Sequence, residues 1–198
     1  MTRRSTSLLA WGGVFGPAAF IGAWAAGALV ADDLSPIDDA ISQLAAIGAN
    51  TRPLMTAGFV AFGIALPVYA SALRRVVAGP AWITAAATGL STIGVALAPL
   101  DHSSAVDTVH GVFAGLGYLT LAATPLLAAK PLRRAGHGAL ARLGVLAGAA
   151  AGASLVLSLT GLPTGLFQRL GLTAGDVWIV TSAVAMIGGR LTTDSNVR

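Results

Sequence analysis

Long apolar runs separated by short polar connections are the feature that most restricts the fold of this chain. The first runs from Leu8 to Val30, and at about 1.5 Å per helical residue it can cross a hydrocarbon core about 30 Å thick. Only 10% of the residues are charged, whereas a soluble domain is about one quarter charged. Five more runs predict further spans at 53–73, 81–98, 107–128, 143–160 and 172–188. We therefore predict an all-α, polytopic membrane protein, a six-transmembrane-helix bundle forming a single domain over residues 1–198.

Residues 36–47 form a connection that is regular enough for a helix of its own. Ser35 suits the N-cap position and Pro36 the first helical position. Ile41 and Leu44 recur at helical spacing, but the segment as a whole is too polar to cross a membrane. The pattern predicts a short extracytoplasmic helix that lies on the membrane surface or folds over the bundle.

The basic residues indicate how the bundle is oriented. With six spans, alternate connections share a side of the membrane, and one side then holds ten of the 12 lysines and arginines. These ten are Arg3, Arg4, Arg74, Arg75, Lys130, Arg133, Arg134, Arg142, Arg190 and Arg198. Because basic connections stay in the cytoplasm, we predict a cell-membrane protein with both termini cytoplasmic and with Arg52 and Arg169 outside. The cations form no continuous stripe, so no nucleic-acid partner is predicted.

The connection between the third and fourth predicted spans carries the densest polar chemistry. It holds two of the three histidines and two of the eight acids, as Asp101, His102, Asp107 and His110. Asp107 and His110 are three residues apart at a helix start, so they can share a face. A carboxylate beside an imidazole can orient the ring and favour its charged form. The other acids, apart from Asp194, also fall at or near the outer side, which places the candidate chemistry there.

Some of these residues, together with Ser42, could form a hydrolytic site. Ser42 is the candidate nucleophile, His110 its base, and Asp107 or Asp101 the orienting acid. Such a site would make the protein a membrane-embedded hydrolase or transferase. Whether it is an enzyme stays open, because serine and aspartate on an interfacial helix usually cap and solvate that helix.

A metal site is the weaker alternative. Asp101, His102, Asp107 and His110 offer nitrogen and oxygen ligands, but no HExxH motif and no pair of histidines four residues apart is present. The absence of cysteine excludes thiolate ligands and disulfides. We predict no metal and no cofactor, with a metal ion at the outer site as the alternative.

Ligand binding is the leading interpretation. We expect an outward-facing polar site for a lipid-like or small polar ligand, formed by Asp38, Ser42, Asp101, His110 and Arg169. The Arg169 guanidinium can hold an anionic headgroup or pair with an outer aspartate, first Asp101 or Asp107. A small transporter is a further alternative, although Asp176 falls near a predicted span end and the middles of the spans are almost entirely apolar.

Membrane lipid is the expected partner, and glycines suggest a second one. Small residues four apart let helix backbones approach closely. Such sets are Gly111 and Gly115 in the fourth span, and Gly144, Gly148 and Gly152 in the fifth. They predict close helix packing, and glycine-rich faces of this kind could also join copies of the chain as a homo-oligomer.

Several segments together resemble the family called domain of unknown function 998. The most specific is Asp39-Ala40-Ile41-Ser42-Gln43-Leu44-Ala45, preceded by Ser35-Pro36 and followed by Gly48. The others are Leu54-Met55 to Gly63, Pro99-Leu100-Asp101, Asp107 and His110 with Gly111, and Gln168-Arg169. The resemblance covers nearly the whole chain. It implies a six-helix integral membrane protein of bacteria or archaea and carries no activity with it.

Overall fold

The computed structural model describes residues 3–32 and 34–191, and this part of the chain is helical with no strand. The α-helices are α1 Arg3–Ala10, α2 Gly12–Val30, α3 Arg52–Val76, α4 Ala81–Leu97, α5 Ser104–Arg134, α6 Gly138–Ser158 and α7 Thr164–Ile187. A short 3₁₀ helix covers Ile41–Ala45. Asp33, Asp194 and Arg198, which entered the charge pattern, lie outside the described residues.

Five helical segments are long and apolar enough to cross a membrane: α1 with α2 as one segment, then α3, α5, α6 and α7. Helix α4 is also apolar but has 17 residues, which corresponds to about 25 Å. The outer surface of the bundle exposes large apolar side chains, including Leu29, Leu97 and Leu116. Exposed apolar surface on this scale needs lipid to cover it, so the fold is that of a helical membrane bundle.

Helices that follow one another in the chain pack side by side, and α2 also contacts α7, which closes the bundle. Glycine lets two of these helices approach closely, since a Cβ at Gly148 in α6 would lie 2.7 Å from the Ala122 carbonyl oxygen in α5. A Cβ added at Gly144 would lie equally close to α5 and to the Trp178 side chain. At Gly111, Gly115 and Gly152, however, a Cβ would meet nothing within 4 Å. The expected close packing at those three positions is therefore wrong.

The connections lie at two ends of the bundle. The end that carries the 3₁₀ helix also holds the α4–α5 and α6–α7 connections, and we call it the 3₁₀ end. The opposite end, where α3, α5 and α7 finish, is called the basic end. Its described cations are Arg3, Arg4, Arg74, Arg75, Lys130, Arg133, Arg134, Arg142 and Arg190.

Several predicted bounds differ from the observed ones: α5 ends at Arg134 instead of 128, and α6 begins at Gly138 instead of 143. Two further differences have a local reason. The surface helix predicted at 36–47 is a turn followed by the 3₁₀ helix, because side chains compete for the backbone: the Asp39 carboxylate accepts from the Ser35 N–H at 2.8 Å. Helix α7 begins at Thr164, eight residues before the predicted span at 172–188.

The early start of α7 depends on the connection that packs against it. The first N–H groups of a helix have no partner within the helix. Here Gly165 N–H donates to the Asp38 carbonyl at 3.2 Å and Leu166 N–H donates to the Ile37 carbonyl at 2.7 Å. Gln168 and Arg169, which precede the predicted span, therefore lie on the helix.

Candidate functional site

A cavity of about 70 Å³ lies inside the half of the bundle nearer the 3₁₀ end. A cavity needs roughly 10–15 Å³ to hold a water molecule, so this one can hold a small ligand group or several waters. Four phenylalanines contribute to its wall: Phe20, Phe59, Phe62 and Phe113. The polar lining residues are Ser42, Thr88, Thr92, His110, Tyr118, Gln168 and Asp176.

Asp176 is the deepest charged group of this cavity. It lies near the middle of α7 and is 1% exposed. Neither carboxylate oxygen has a hydrogen-bond partner among the described residues. The predicted span at 172–188 puts Asp176 near its end, because this span begins eight residues later than α7 does. A lone aspartate within an apolar run was the available signal, because ionisable residues inside spans commonly mark functional sites.

His110 lines the same cavity from α5 and is 4% exposed. Its Nδ1 lies 2.7 Å from the Ala98 carbonyl oxygen. A carbonyl oxygen can only accept, so Nδ1 carries the proton and donates, and in the neutral ring Nε2 is then an acceptor. Nε2 is buried and has no partner among the described residues.

The predicted pairing of Asp107 with His110 is not observed. The Asp107 Oδ1 instead accepts the backbone N–H of Asp101 at 3.0 Å. Asp101 has a φ of 63°, a left-handed conformation that aspartate tolerates better than most residues. The carbonyl of Ala98, just beyond the end of α4, replaces Asp107 as the partner of the imidazole, since the last carbonyls of a helix lack intrahelical donors.

Apart from Ser42, the other polar residues that line the cavity have hydrogen-bond partners in the protein. The Gln168 Oε1 accepts the Ile41 N–H at 2.6 Å, which ties the 3₁₀ helix to α7. The Tyr118 hydroxyl donates to the Phe167 carbonyl at 3.2 Å. Thr88 shares a hydrogen bond of 2.9 Å with Thr120. The buried lining atoms left unpaired in the described structure are therefore Nε2 of His110 and both Asp176 oxygens.

Arg169 lies beside the cavity and fixes the connection above it. Its Nη1 donates to the carbonyl oxygens of Pro36 at 2.7 Å and Asp39 at 2.9 Å. The guanidinium carbon lies 5.5 Å from the centre of the Trp24 ring. No hydrogen bond joins Arg169 to Asp101 or Asp107 within the described chain. The expected pairing of Arg169 with one of these two aspartates is therefore wrong.

The structure brings together only part of the predicted site. Ser42 and His110 both line the cavity. Asp38, Asp101 and His102 are exposed, and Asp107 is half-buried outside the cavity. Residues 3–32 and 34–191 contain no group of three or more histidines and acids able to hold a metal ion.

These features define the class of protein: a helical membrane bundle with a small, largely apolar cavity between its helices that contains a few polar groups. The family described as "Protein of unknown function (DUF998)" matches residues 14–185, and the chain belongs to this family. The matched range contains every residue that lines the cavity. No curated protein and no solved structure matches the chain.

Proposed function

We propose that this protein is a six-span protein of the bacterial or archaeal cytoplasmic membrane whose cavity binds a small ligand carrying a protonated amine. The observation that carries the proposal is the buried Asp176 carboxylate, whose two oxygens have no hydrogen-bond partner in the described part of the chain. Burying an ionised carboxylate without a partner is costly. A ligand that brings a positive charge and N–H donors removes this cost.

His110 supports the same ligand chemistry. With its Nδ1 proton directed to Ala98, its buried Nε2 offers a lone pair. The cavity therefore presents acceptors, from Asp176 and His110, with no matching donor left over among the buried lining atoms. A ligand with several N–H groups fits this set better than an anion does.

The aromatic wall adds a second attraction for a cation. Phe20 lies 5.9 Å from Phe59 and 5.3 Å from Phe62, measured between ring centres, so three rings form one group. Aromatic faces attract an ammonium group by about 0.5–2 kcal/mol each, depending on desolvation. The apolar ring surface also accommodates methyl or methylene groups beside the charge. The small volume favours a short amine such as methylammonium or ethylammonium.

Binding of ethylammonium to the purified protein tests the proposal. Ethylammonium chloride should raise the melting temperature in detergent in a saturable way, whereas sodium chloride at the same concentration should not. Asp176→Asn should abolish the saturable shift, and His110→Gln should weaken it. Asp107→Asn is the matched control, because it removes an acid at the 3₁₀ end outside the cavity, and it should bind like wild type. A wild-type response equal to that with sodium chloride would contradict the proposal.

The proposed orientation opens the cavity towards the extracytoplasmic side. Ser42, which lines the cavity, is half-buried in the connection at the 3₁₀ end. The described cations, apart from Arg52 and Arg169, lie at or near the opposite end, which the positive-inside rule assigns to the cytoplasm. Proteoliposome uptake of radiolabelled methylammonium would distinguish a carrier, which moves the amine across, from a binding protein, which only retains it.

A hydrolase is the second candidate, because Ser42 and His110 share the cavity and the His110 Nε2 is free to accept a proton. The Ala98 carbonyl would then orient the imidazole in place of a carboxylate. A fluorophosphonate probe should label the wild type and not Ser42→Ala or His110→Gln. Absence of labelling in the wild type would rule against an activated serine.

A further inference from the structure

A second concave surface lies at the basic end, between α5 and α6. This groove has a volume of about 460 Å³ and is open on one side. Lys130 and Arg133 of α5 and Arg142 of α6 line it at the end of the bundle. Leu126 of α5 and Leu146 of α6 line it further towards the middle. Both antiparallel helices therefore place cations near the end of the bundle and apolar side chains deeper. A phospholipid in a leaflet has the same order, with its charged headgroup at the surface and its apolar chains deeper.

The three cations of the groove have no partner among the residues that the structure describes. Their side chains make no hydrogen bond, ion pair or ring contact with another described residue. Other cations at the basic end do have partners: Arg74 lies over the Trp82 ring at 4.7 Å, and Arg75 donates to Ser5 at 3.0 Å.

No described acid is available to neutralise the groove. Five of the described aspartates lie in connections or a first helical turn at the 3₁₀ end, and the sixth is Asp176 within α7. Three cations that converge on an open groove, with no acid from residues 3–32 or 34–191 nearby, produce a positive potential there. The occupant must therefore supply negative charge at one end and apolar surface at the other.

We propose that this groove binds one phospholipid with an anionic headgroup. Its phosphate contacts Lys130, Arg133 and Arg142, and an acyl chain lies against Leu126 and Leu146. Basic pockets between membrane helices recognise anionic headgroups, and arginine suits phosphate because its planar guanidinium forms two parallel hydrogen bonds. A second copy of the chain fits poorly, because it would bring the same cations to the contact. The groove shares no residue with the cavity, so this proposal is independent of the amine proposal.

Thermal stability in detergent with added lipid tests the proposal. Dioleoyl phosphatidylglycerol should raise the wild-type melting temperature, and native mass spectrometry should show it retained, whereas dioleoyl phosphatidylcholine should do neither. Arg133→Gln with Arg142→Gln should weaken the apparent affinity for phosphatidylglycerol roughly tenfold or more. Arg74→Gln with Arg75→Gln removes the same charge from the same end, and each variant is compared with its own lipid-free state. That control should keep the response to phosphatidylglycerol.

A second pair of variants keeps every cation in place. Gly138 lines the groove, and a Cβ there would meet nothing within 4 Å, so Gly138→Leu can fill the groove without a backbone clash. Gly152→Leu adds the same side chain to open space on α6 away from the groove. The first should lose phosphatidylglycerol binding and the second should keep it. Equal binding by both variants, equal stabilisation by the two lipids, or full stabilisation by inorganic phosphate alone would overturn the proposal.

Discussion

At the scale of single residues, the buried polar groups divide into those with partners and those without. The Tyr69 hydroxyl is fully buried and lies 2.6 Å from the Ser182 hydroxyl, so each satisfies the other. Asp176 is buried to nearly the same degree and has no such partner among the described residues. A buried polar group without a partner costs about 1–3 kcal/mol. We therefore expect Asp176 to lower the stability of the free protein, as the proposed binding role would explain.

This difference predicts opposite effects of two substitutions. Asp176→Leu should raise the melting temperature of the ligand-free protein, because it removes an unpaired polar group beside a cavity that can take the larger side chain. Tyr69→Phe should lower it, by about 1 kcal/mol in stability, because the Ser182 hydroxyl loses its hydrogen bond with Tyr69 and keeps only the one to the Ile179 carbonyl. Circular dichroism melts in one detergent would measure both. A lower melting temperature for Asp176→Leu would show that Asp176 has a stabilising partner.

Arg169 supports a prediction about geometry rather than charge. One guanidinium nitrogen of Arg169 donates hydrogen bonds to two carbonyl oxygens, those of Pro36 and Asp39, in the connection that packs against α7. Lysine keeps the charge but lacks the planar guanidinium, so Arg169→Lys should destabilise the protein by roughly 1–3 kcal/mol. Arg52→Lys is the control, because Arg52 is exposed at the same end. Unchanged melting temperatures for both variants would mean that any cation at 169 suffices.

Residue types were easier to predict than residue partners. Ser42 and His110 were chosen from the sequence for their chemistry, and both line the cavity. The partner of His110 is a carbonyl 12 residues earlier, and every residue has a carbonyl, so no sequence pattern marks this one. Asp176 was visible in the sequence, but its depth depended on where α7 begins.

At the scale of elements, hydropathy located the apolar helices but not the ends that tertiary contacts determine. Helix α2 ends at Val30 and α4 covers Ala81–Leu97, where the apolar runs themselves end. Helix α7 extends beyond its apolar run, since carbonyls of the connection at 36–39 accept hydrogen bonds from Gly165, Leu166 and the Arg169 Nη1. Those contacts join residues about 130 apart in the chain, which local periodicity does not report.

Helix packing gives a prediction at this scale from two glycines on α6. A Cβ at Gly148 would lie 2.7 Å from the Ala122 carbonyl oxygen and 2.5 Å from Leu126, whereas one at Gly152 would meet nothing within 4 Å. Gly148→Ala should therefore cost roughly 1–3 kcal/mol through overpacking. Gly152→Ala should be neutral or stabilise by up to about 1 kcal/mol, because alanine favours helix. Equal melting temperatures for Gly148→Ala and Gly152→Ala would show that α5 and α6 can move apart without loss of stability.

At the scale of the whole molecule, two sites of opposite charge preference lie in opposite halves of one bundle. The cavity near the 3₁₀ end presents a carboxylate and an imidazole lone pair, and the groove at the basic end presents three cations. The asymmetry of charge that places these cations at one end also supports the proposed orientation of the chain, because basic connections resist translocation. Sidedness therefore decides which compartment can supply a ligand to each site.

Cysteine labelling in intact cells tests this sidedness cleanly, because the chain has no native cysteine. Single cysteines at Ala78, Ala135 and Ser103 occupy exposed positions in three different connections. An impermeant maleimide should label Ser103→Cys directly and should label Ala78→Cys and Ala135→Cys only after permeabilisation, which serves as the control for reactivity. Labelling of Ala78→Cys and Ala135→Cys in intact cells, with Ser103→Cys protected, would show that the bundle has the opposite orientation in the membrane. The cavity would then face the cytoplasm, and the anionic lipid would belong to the outer leaflet.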